Sequence, residues 1–459
     1  MHRPSSAVEA DILADLASVE AAGRVCARTL VVGAARGRDR GRACGRGRAR
    51  GRVLAATIVA VLGLVVGSGV RAQAGRGTPV LKQAPPLGWA AFTRLVDAFA
   101  ARDSLVGASV LVLRGGHVLA HHEFGDADRG VHQAVDERTL FHYGSITKTL
   151  TAIAILQLRD RGRLRLDDRV VTYVPELRLV HDPYGSIDSL TIAMLLSHAG
   201  GFQNPTWPYT DDKPWEPFEP TTWAQLVAMM PYQELRFAPG SRYGYSNPGF
   251  LYLARIIEAI SGDPWEVYVD KNIFKPLGLA HSYFGTTPYF MAADRANSYA
   301  VERDSSGHTA VRALGREFDP GITIPNGGWN APLSDLGRYS AFLTGAAAGD
   351  TAARRLYDSV LARSTLEEMW RPRYPTSADA QTVSAPGETV GLSFFQVPRG
   401  GTTYVGHMGF QAGFRAFLYI NPGTGAAVIA ALNTRNDADP VQSQAAWLAV
   451  RDAALDLIR

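Results

Sequence analysis

The sequence predicts an α+β fold in which an antiparallel sheet flanked by helices is formed by both chain ends, with a mostly helical region inserted between them. β-rich runs lie near the start, in GASVLVLRGGHVLAHHEFG (107–125), and near the end, in RAFLYINPGTGAAVIAALN (415–433). The middle of the chain has apolar residues at helical spacing, separated by Pro- and Trp-rich loops. Strands at both ends with helices between favour two regions that share a cleft.

Periodicity and turn residues predict the individual elements. LGWAAFTRLVDAFAARD (87–103) has the spacing of an amphipathic helix, and Gly115-Gly116 marks a hairpin between two strands. The apolar run after Ser145 forms the next helix, which ends at Gly162. Further helices are expected in TIAMLLSHAGG, TTWAQLVAMM, GFLYLARIIEAISG, WEVYVDKNIFKPLG and the final AAWLAVRDAALDLI.

These elements suggest a division into domains. Residues 78–165 and 311–459 would form the domain that contains the sheet, and residues 166–310 the inserted helical domain. The chain has no low-complexity linker from about residue 85 onward. We therefore expect residues 85–455 to behave as one unit, preceded by a basic leader and signal peptide over 1–74.

The charges are unevenly distributed. The chain has 47 Lys/Arg and 43 Asp/Glu, but residues 1–74 hold 12 arginines against 5 acidic residues, which leaves 35 basic and 38 acidic residues in the rest. The basic surplus is therefore not an electrostatic footprint for nucleic acid on the folded part, and we expect no nucleic-acid partner.

The leader has the layout of a secretory signal. The arginine-rich run GRDRGRACGRGRARGR precedes the 14-residue apolar core VLAATIVAVLGLVV (53–66) and an A-x-A site that ends at Ala74. The core is shorter than the ~20 residues of a membrane-spanning helix. We predict export to the periplasm or the extracellular space, with cleavage after Ala74 and membrane contact only through an uncleaved leader. A disordered RNA-binding tail is the alternative. Cys26 and Cys44 both precede the cleavage site, so no disulfide is expected.

The first chemical motif is the pair Ser145 and Lys148 in FHYGSITKTLTAIAILQL (141–158). Residues three apart share a helix face, and a serine in the first turn lies near unpaired N–H groups that stabilise negative charge. A serine hydroxyl needs an adjacent base, which a lysine with a lowered pKa can supply. Only 5 of the 47 basic residues are lysines. The alternative is an ordinary helix start with a surface lysine.

The second motif is Tyr245-Ser246-Asn247-Pro248, a loop that leads into an amphipathic helix. A tyrosine near a cation can have its phenol pKa lowered enough to act as a general base. The Asn247 amide can donate to a substrate carbonyl. Taken alone, this motif could equally be a turn with a packed tyrosine.

The third motif is a β-patterned run interrupted by glycines, TTYVGHMGFQAGFRAFLYI (402–420). Glycine in a strand often marks the close approach of a ligand or of another backbone. The N–H of Phe410, just past Gly409, could then form an oxyanion hole with the N–H of Ser145. His407 would point into the same cleft, although a bulged strand with a solvated histidine is the alternative.

Taken in order, HYGSITKTLTAIAILQL, LLSHAGGF, FAPGSRYGYSNPGFLYLARIIEAISG, IFKPLGL and GHMGFQAGF resemble the serine β-lactamase-related superfamily. The resemblance is closest to the branch of class C β-lactamases, D-alanyl-D-alanine carboxypeptidases and β-lactamase-like carboxylesterases. It covers roughly residues 85–455 and implies a β-lactamase/penicillin-binding-protein-like fold.

The resemblance also implies roles for individual residues. Ser145 would be acylated, Lys148 would assist proton transfer, and Tyr245 would be the base that then protonates the leaving group. Asn247 would orient the acyl side of the substrate, and the strand around His407, Gly409 and Phe410 would bind it. Class C β-lactamases usually have Lys-Thr-Gly where this chain has His407-Met408-Gly409, which puts efficient β-lactam hydrolysis in doubt. A partly charged histidine would bind a substrate carboxylate only weakly.

The expected function is that of an exported serine hydrolase, a carboxylesterase or D-amino-acid peptidase that uses no cofactor or metal. A β-lactamase, or an inactive binding protein on the same fold, are the alternatives. A metalloenzyme is not expected, because His121 and His122 would point to opposite faces of a strand and the sequence has no H-E-x-x-H motif. His198 is expected in a loop near the site, and the long aromatic loops at 203–220 and 285–330 would shape a pocket for a partly apolar acyl group.

Overall fold

The structure is a computed structural model that describes residues 84–202, 220–345, 351–376 and 387–459. The predicted leader over 1–74, with both cysteines, and nearly all of the predicted pocket loop at 203–220 lie outside the described residues. Within the described ranges, no helix is both long enough and apolar enough to cross a bilayer.

A mixed arrangement of helices and a large antiparallel sheet is observed. Nine strands form this sheet in the order β3-β2-β1-β13-β12-β11-β10-β9-β8. Smaller sheets are formed by β14-β5-β6 and by β4-β7. In chain order the strands are β1 Gly107–Arg114, β2 His117–Asp128, β3 Gln133–Ala134, β4 Phe141–His142, β5 Ser298–Arg303, β6 Thr309–Gly315, β7 Asn330–Ala331, β8 Tyr374–Pro375, β9 Thr389–Val390, β10 Phe395–Arg399, β11 Thr402–Gln411, β12 Phe414–Asn421, β13 Ala426–Leu432 and β14 Thr434–Asn436.

The centre of the sheet joins the two ends of the chain. β1 pairs with β13 along its whole length, from Ala108 opposite Leu432 to Arg114 opposite Ala426. All seven residues of β13 are buried because helices cover both faces of the sheet there, which explains its continuous apolar sequence. Gly115 and Gly116 take positive φ angles in the turn between β1 and β2, so the predicted hairpin is confirmed.

The helices pack on both sides of this sheet. In chain order they are α1 Trp89–Asp103, α2 Thr147–Asp160, α3 Ile192–Leu196, α4 Trp223–Met229, α5 Pro248–Ser261, α6 Trp265–Val269, α7 Lys275–Leu277, α8 Ile324–Gly327, α9 Leu333–Thr344, α10 Thr351–Val360, α11 Arg363–Met369 and α12 Pro440–Leu457. A π-helical stretch, Asp270–Phe274, lies between α6 and α7.

Alternate residues of the central strands β1, β11, β12 and β13 face two different cores. Phe417 and Tyr419 of β12 join a core covered by α1 and α12, whereas Leu418 and Ile420 join the larger core around α2. In β11, Met408 contacts the first core and Val405 the second. His407 and Gly409 therefore lie on the same face of β11 as Val405, which is the face toward α2.

The predicted fold class is confirmed, and the predicted elements differ from the observed ones mainly at their ends. The helix predicted over 87–103 begins two residues later, at Trp89, and the helix predicted after Ser145 begins at Thr147, so that Ser145 lies in the turn before it. Residues from 84 onward belong to one compact unit. The predicted division at 165 and 310 stays a proposal. The β5–β6 hairpin crosses the second boundary, and β5 pairs with β14 near the C-terminus.

Candidate active site

The predicted serine and lysine meet in the turn that leads into α2. Lys148 Nζ lies 2.9 Å from Ser145 Oγ. Backbone N–H groups of residues 146 to 149 each donate to the carbonyl three residues earlier, which is 3₁₀ geometry. Side chains at i and i+3 eclipse in such a turn. The two reactive atoms are therefore brought together by local backbone geometry.

The amine of Lys148 is enclosed by protein. The side chain is 0% exposed, and Nζ also donates to the backbone carbonyl oxygen of Asn326 at 2.9 Å. The rings of Tyr245 and Phe250 have their centroids 5.0 Å and 5.6 Å from Nζ. Burial holds the pKa of Lys148 well below its ordinary value, because an ammonium loses its hydration here. Burial therefore favours the neutral amine, whose lone pair can accept the proton of Ser145.

Tyr245 lies in the loop before α5, with its ring stacked on that of His198 at a centroid distance of 4.4 Å. A hydrogen-bonding interaction with Ser145 lowers the phenol pKa, but desolvation of the phenol outweighs it and raises the pKa above its ordinary value. The expectation of a lowered tyrosine pKa is therefore wrong. Its physical reason is that the phenol is buried, and loss of hydration disfavours the phenolate more than the hydrogen bond with Ser145 stabilises it.

The two predicted oxyanion-hole segments touch through their backbones. A Cβ on Gly409 would overlap the carbonyl oxygen of Tyr143 and lie 3.2 Å from the backbone N of Ser145. Gly144 has a φ of 48°, and a Cβ there would lie 2.8 Å from the backbone N of Phe410. Only glycine permits this approach. The N–H groups of Ser145 and Phe410 thus lie close to each other, as the predicted oxyanion hole requires.

His407 is more buried than expected. It is 3% exposed, its Nδ1 donates to the carbonyl oxygen of Met408, and its Nε2 has no hydrogen-bond partner among the described residues. Burial, and to a lesser extent the charge on Lys148 when it is protonated, lowers the pKa of His407 to about 3. The expectation of a partly charged histidine is therefore wrong, because a desolvated imidazolium is disfavoured, whereas the expected weak attraction for a substrate carboxylate agrees with a neutral imidazole.

The remaining residues around the site come from three further segments. Asn247 is half-buried at the N-terminal boundary of α5, two residues beyond Tyr245. Sequence reasoning missed Asn326 and Phe250. Asn326 contacts Lys148 through its backbone carbonyl oxygen. A backbone contact cannot be inferred from the type of residue in the sequence. Its side-chain Oδ1 is buried and has no partner among the described residues. His198 lies next to Tyr245 and is fully buried.

The buried histidines predict that the fold is sensitive to acid. Burial lowers the pKa of His142 to about 4 and that of His198 well below its ordinary value, as for His407. Below pH 6.5 the unfolded chain binds protons that the native state excludes, so the free energy of unfolding falls as the pH drops from 6.5 toward these native pKa values. Each such histidine contributes about 1.4 kcal/mol per pH unit.

Urea unfolding between pH 7 and pH 5 checks this prediction. His142→Gln should reduce the slope of the unfolding free energy against pH by about the contribution of one histidine. His308→Gln, at an exposed imidazole, is the control and should leave the slope unchanged. An equal slope in the wild-type protein and in His142→Gln would contradict the prediction.

The fold and this arrangement define a protein of the β-lactamase and penicillin-binding-protein class. Residues 92–452 match the family described as Beta-lactamase, and the chain belongs to this family. Within the described ranges, no group of three or more His, Cys, Asp or Glu side chains could hold a metal ion.

Individual relatives are similar over shorter stretches. A putative penicillin-binding protein, PbpX, of Bacillus subtilis is 32% identical over 179 residues, which are 39% of this chain and 41% of that protein. Penicillin-binding protein 4* of the same organism is 30% identical over 245 residues, which are 51% of each chain. The chain thus spans about half or less of the length of these curated relatives.

Solved structures share the fold over most of the chain. The octameric penicillin-binding protein homologue from Pyrococcus abyssi is 25% identical, with a TM-score of 0.62 over 79% of this chain and 77% of that one. The D-amino acid amidase from Ochrobactrum anthropi SV3 is 20% identical, with a TM-score of 0.63 over 80% of this chain and 97% of the amidase. A class C β-lactamase mutant is 20% identical, with a TM-score of 0.60 over 80% of this chain and 96% of that one.

Proposed function

We propose that the protein is an exported serine hydrolase that cleaves an ester or amide through a covalent acyl-enzyme on Ser145. The observation that carries the proposal is the contact of 2.9 Å between Ser145 Oγ and the buried amine of Lys148, whose pKa is held well below its ordinary value. A nucleophile and a base within hydrogen-bond reach are what acyl transfer by serine needs. The signal-like layout of residues 53–74 supports export.

The protons can be followed through the proposed acylation. Lys148 Nζ takes the proton from Ser145 Oγ as that oxygen attacks the substrate carbonyl carbon. The N–H groups of Ser145 and Phe410 stabilise the oxyanion. When the bond to the leaving group breaks, the hydroxyl of Tyr245 donates a proton to the departing oxygen or nitrogen, and the Lys148 ammonium restores the phenol. Because its pKa is raised, Tyr245 keeps its proton near pH 7 and is suited to this donation.

Deacylation reverses the path with water as the nucleophile. Water attacks the carbonyl carbon of the Ser145 ester and loses a proton to the Lys148–Tyr245 pair, which passes a proton to the departing Ser145 Oγ, so that the acid product and free Ser145 remain. Charges form only transiently in this scheme, on Lys148 and on the oxyanion. Exclusion of water from the site should accelerate both half-reactions, because hydrogen bonds to the developing oxyanion are stronger where water is excluded.

The candidate substrates are acyl esters and amides, including D-amino-acid derivatives. A D-amino-acid amidase and penicillin-binding proteins occur among the similar proteins. Phe250, Phe395 and Phe410 lie around the motif residues, which favours a partly apolar acyl group. Asn247, in the loop of Tyr245, is the residue we propose to orient the acyl side.

Hydrolysis assays test the proposal. The mature chain should release product from a short-chain p-nitrophenyl ester, from a D-alanine amide or from a D-alanyl-D-alanine peptide, and Ser145→Ala should abolish this release. Ser306→Ala, at an exposed serine, is the matched control and should retain wild-type turnover. Turnover of a chromogenic cephalosporin alone would favour a β-lactamase. No turnover of any substrate would favour a binding protein on this fold.

A further inference from the structure

His198 occupies a position where a side chain is sterically costly. It lies two residues beyond Leu196, the last residue of α3, immediately after the C-cap residue Ser197, and it takes a left-handed φ of 55°. Glycine or asparagine is usual at such a position because Cβ is crowded there. The side chain is also 0% exposed. A buried imidazole at this position suggests that the ring itself has a functional role.

His198 forms hydrogen bonds with the residues immediately before and after Tyr245 in the chain. The carbonyl oxygen of His198 accepts from the N–H of Gly244 at 2.8 Å, and its Nδ1 accepts from the N–H of Ser246 at 3.1 Å. Between these two bonds, the imidazole stacks on the Tyr245 ring at an interplanar angle of 25°. One residue therefore holds the backbone before and after Tyr245 as well as its ring.

The bond to Ser246 fixes the tautomer of the imidazole. A backbone N–H can only donate, so Nδ1 carries the lone pair and the ring proton is on Nε2. An imidazolium would have a proton on Nδ1 and would lose the Ser246 bond. Burial and nearby Lys148 keep the pKa of His198 well below its ordinary value, which preserves the required form.

We infer that His198 is the positioning residue for Tyr245, which sets the distance of the phenol hydroxyl from Ser145. The inference rests on the proposed function, because it concerns the proton that Tyr245 donates during acyl transfer. His198 makes no contact with the reacting atoms in this account. Its whole effect on turnover passes through Tyr245.

Two substitutions separate the acceptor from the ring. His198→Phe keeps an aromatic ring against Tyr245 but leaves the N–H of Ser246 unpaired. His198→Asn tolerates the left-handed φ, and its Oδ1 can replace Nδ1 as the acceptor. We expect His198→Phe to lower kcat by about tenfold to a hundredfold, as loss of part of a general-acid contribution allows. KM should change little, and His198→Asn should recover part of the loss.

A double-mutant cycle with Tyr245→Phe gives the decisive readout. If His198 acts only through the phenol hydroxyl, its substitution should change kcat by less than about threefold once that hydroxyl is absent. His181→Asn, at an exposed histidine, is the control and should be silent in both backgrounds. Urea midpoints identify any variant that fails to fold. If His198→Phe does not fold, His198→Asn takes its place in the double-mutant cycle.

Each outcome decides the matter. Equal losses of kcat in both backgrounds, or full kcat in His198→Phe, would overturn the positioning role while leaving Ser145-dependent hydrolysis intact. A wild-type chain that hydrolyses none of the substrates would overturn the proposed function and this inference together. Loss of kcat confined to the background that has the Tyr245 hydroxyl supports the inference.

Discussion

Replacing Lys148 by methionine is expected to lower kcat/KM by about a hundredfold to ten-thousandfold, the usual contribution of a positioned general base. Methionine has a similar length and no lone pair of useful basicity, so it removes the base and keeps most of the packing. The thermal midpoint should stay unchanged or rise, because the buried amine is desolvated and no described carboxylate compensates it. Stopped-flow or steady-state hydrolysis of the best ester substrate measures the loss.

Two further variants define the role of Lys148. Lys148→Arg restores a cation but cannot lose its proton, so it should be as inactive as Lys148→Met. Lys271→Met makes the same replacement at an exposed lysine and should leave turnover unchanged. In the wild-type protein kcat/KM should rise with pH through the lowered pKa of Lys148 and then level off. An active Lys148→Arg would contradict the neutral-base role and favour a cation.

Replacing Tyr245 by phenylalanine should lower kcat by about a hundredfold to ten-thousandfold, the usual range for a positioned general acid or base. The ring would still stack on His198 and lie beneath Lys148, so the substitution removes only the hydroxyl. The loss should be greater for an amide than for an activated ester, because a p-nitrophenolate needs no proton to depart. Comparing the two substrates in one variant therefore tests proton donation to the leaving group.

A matched control separates this loss from a general effect of deleting a buried hydroxyl. Tyr252 is fully buried in α5 and donates to Gln233 Oε1 at 3.0 Å. Tyr252→Phe should cost about 1 kcal/mol of unfolding free energy and leave turnover intact. Equal losses on the amide and on the activated ester in Tyr245→Phe would contradict the proposed role as a general acid.

Much of the fold could be predicted because its signals are local. The apolar runs of β12 and β13 and the glycines between β1 and β2 report directly on strands and turns. The start of α2 was less predictable. Its first turn is 3₁₀ because the backbone of Gly144 and Ser145 must reach the strand that carries Gly409, and this contact joins residues 264 positions apart. Contacts between such distant segments leave no pattern in the local sequence.

The identities of the motif residues could be predicted, but their electrostatics could not. The spacing of Ser145 and Lys148 indicates that they can meet, whereas the depth of the amine depends on Asn326 and Phe250, which come from distant segments. The same enclosure explains the errors for Tyr245 and His407. Both residue types titrate readily in water, and burial keeps both neutral.

The central claim is that Ser145 is the residue that becomes acylated. The most direct test is the intact mass of the mature chain after exposure to a fluorophosphonate, followed by peptide mapping, with Ser145→Ala as the control. We expect a single adduct on the peptide that contains Ser145 and no adduct in the variant. An adduct that persists in Ser145→Ala, or one that maps to another residue, would contradict it.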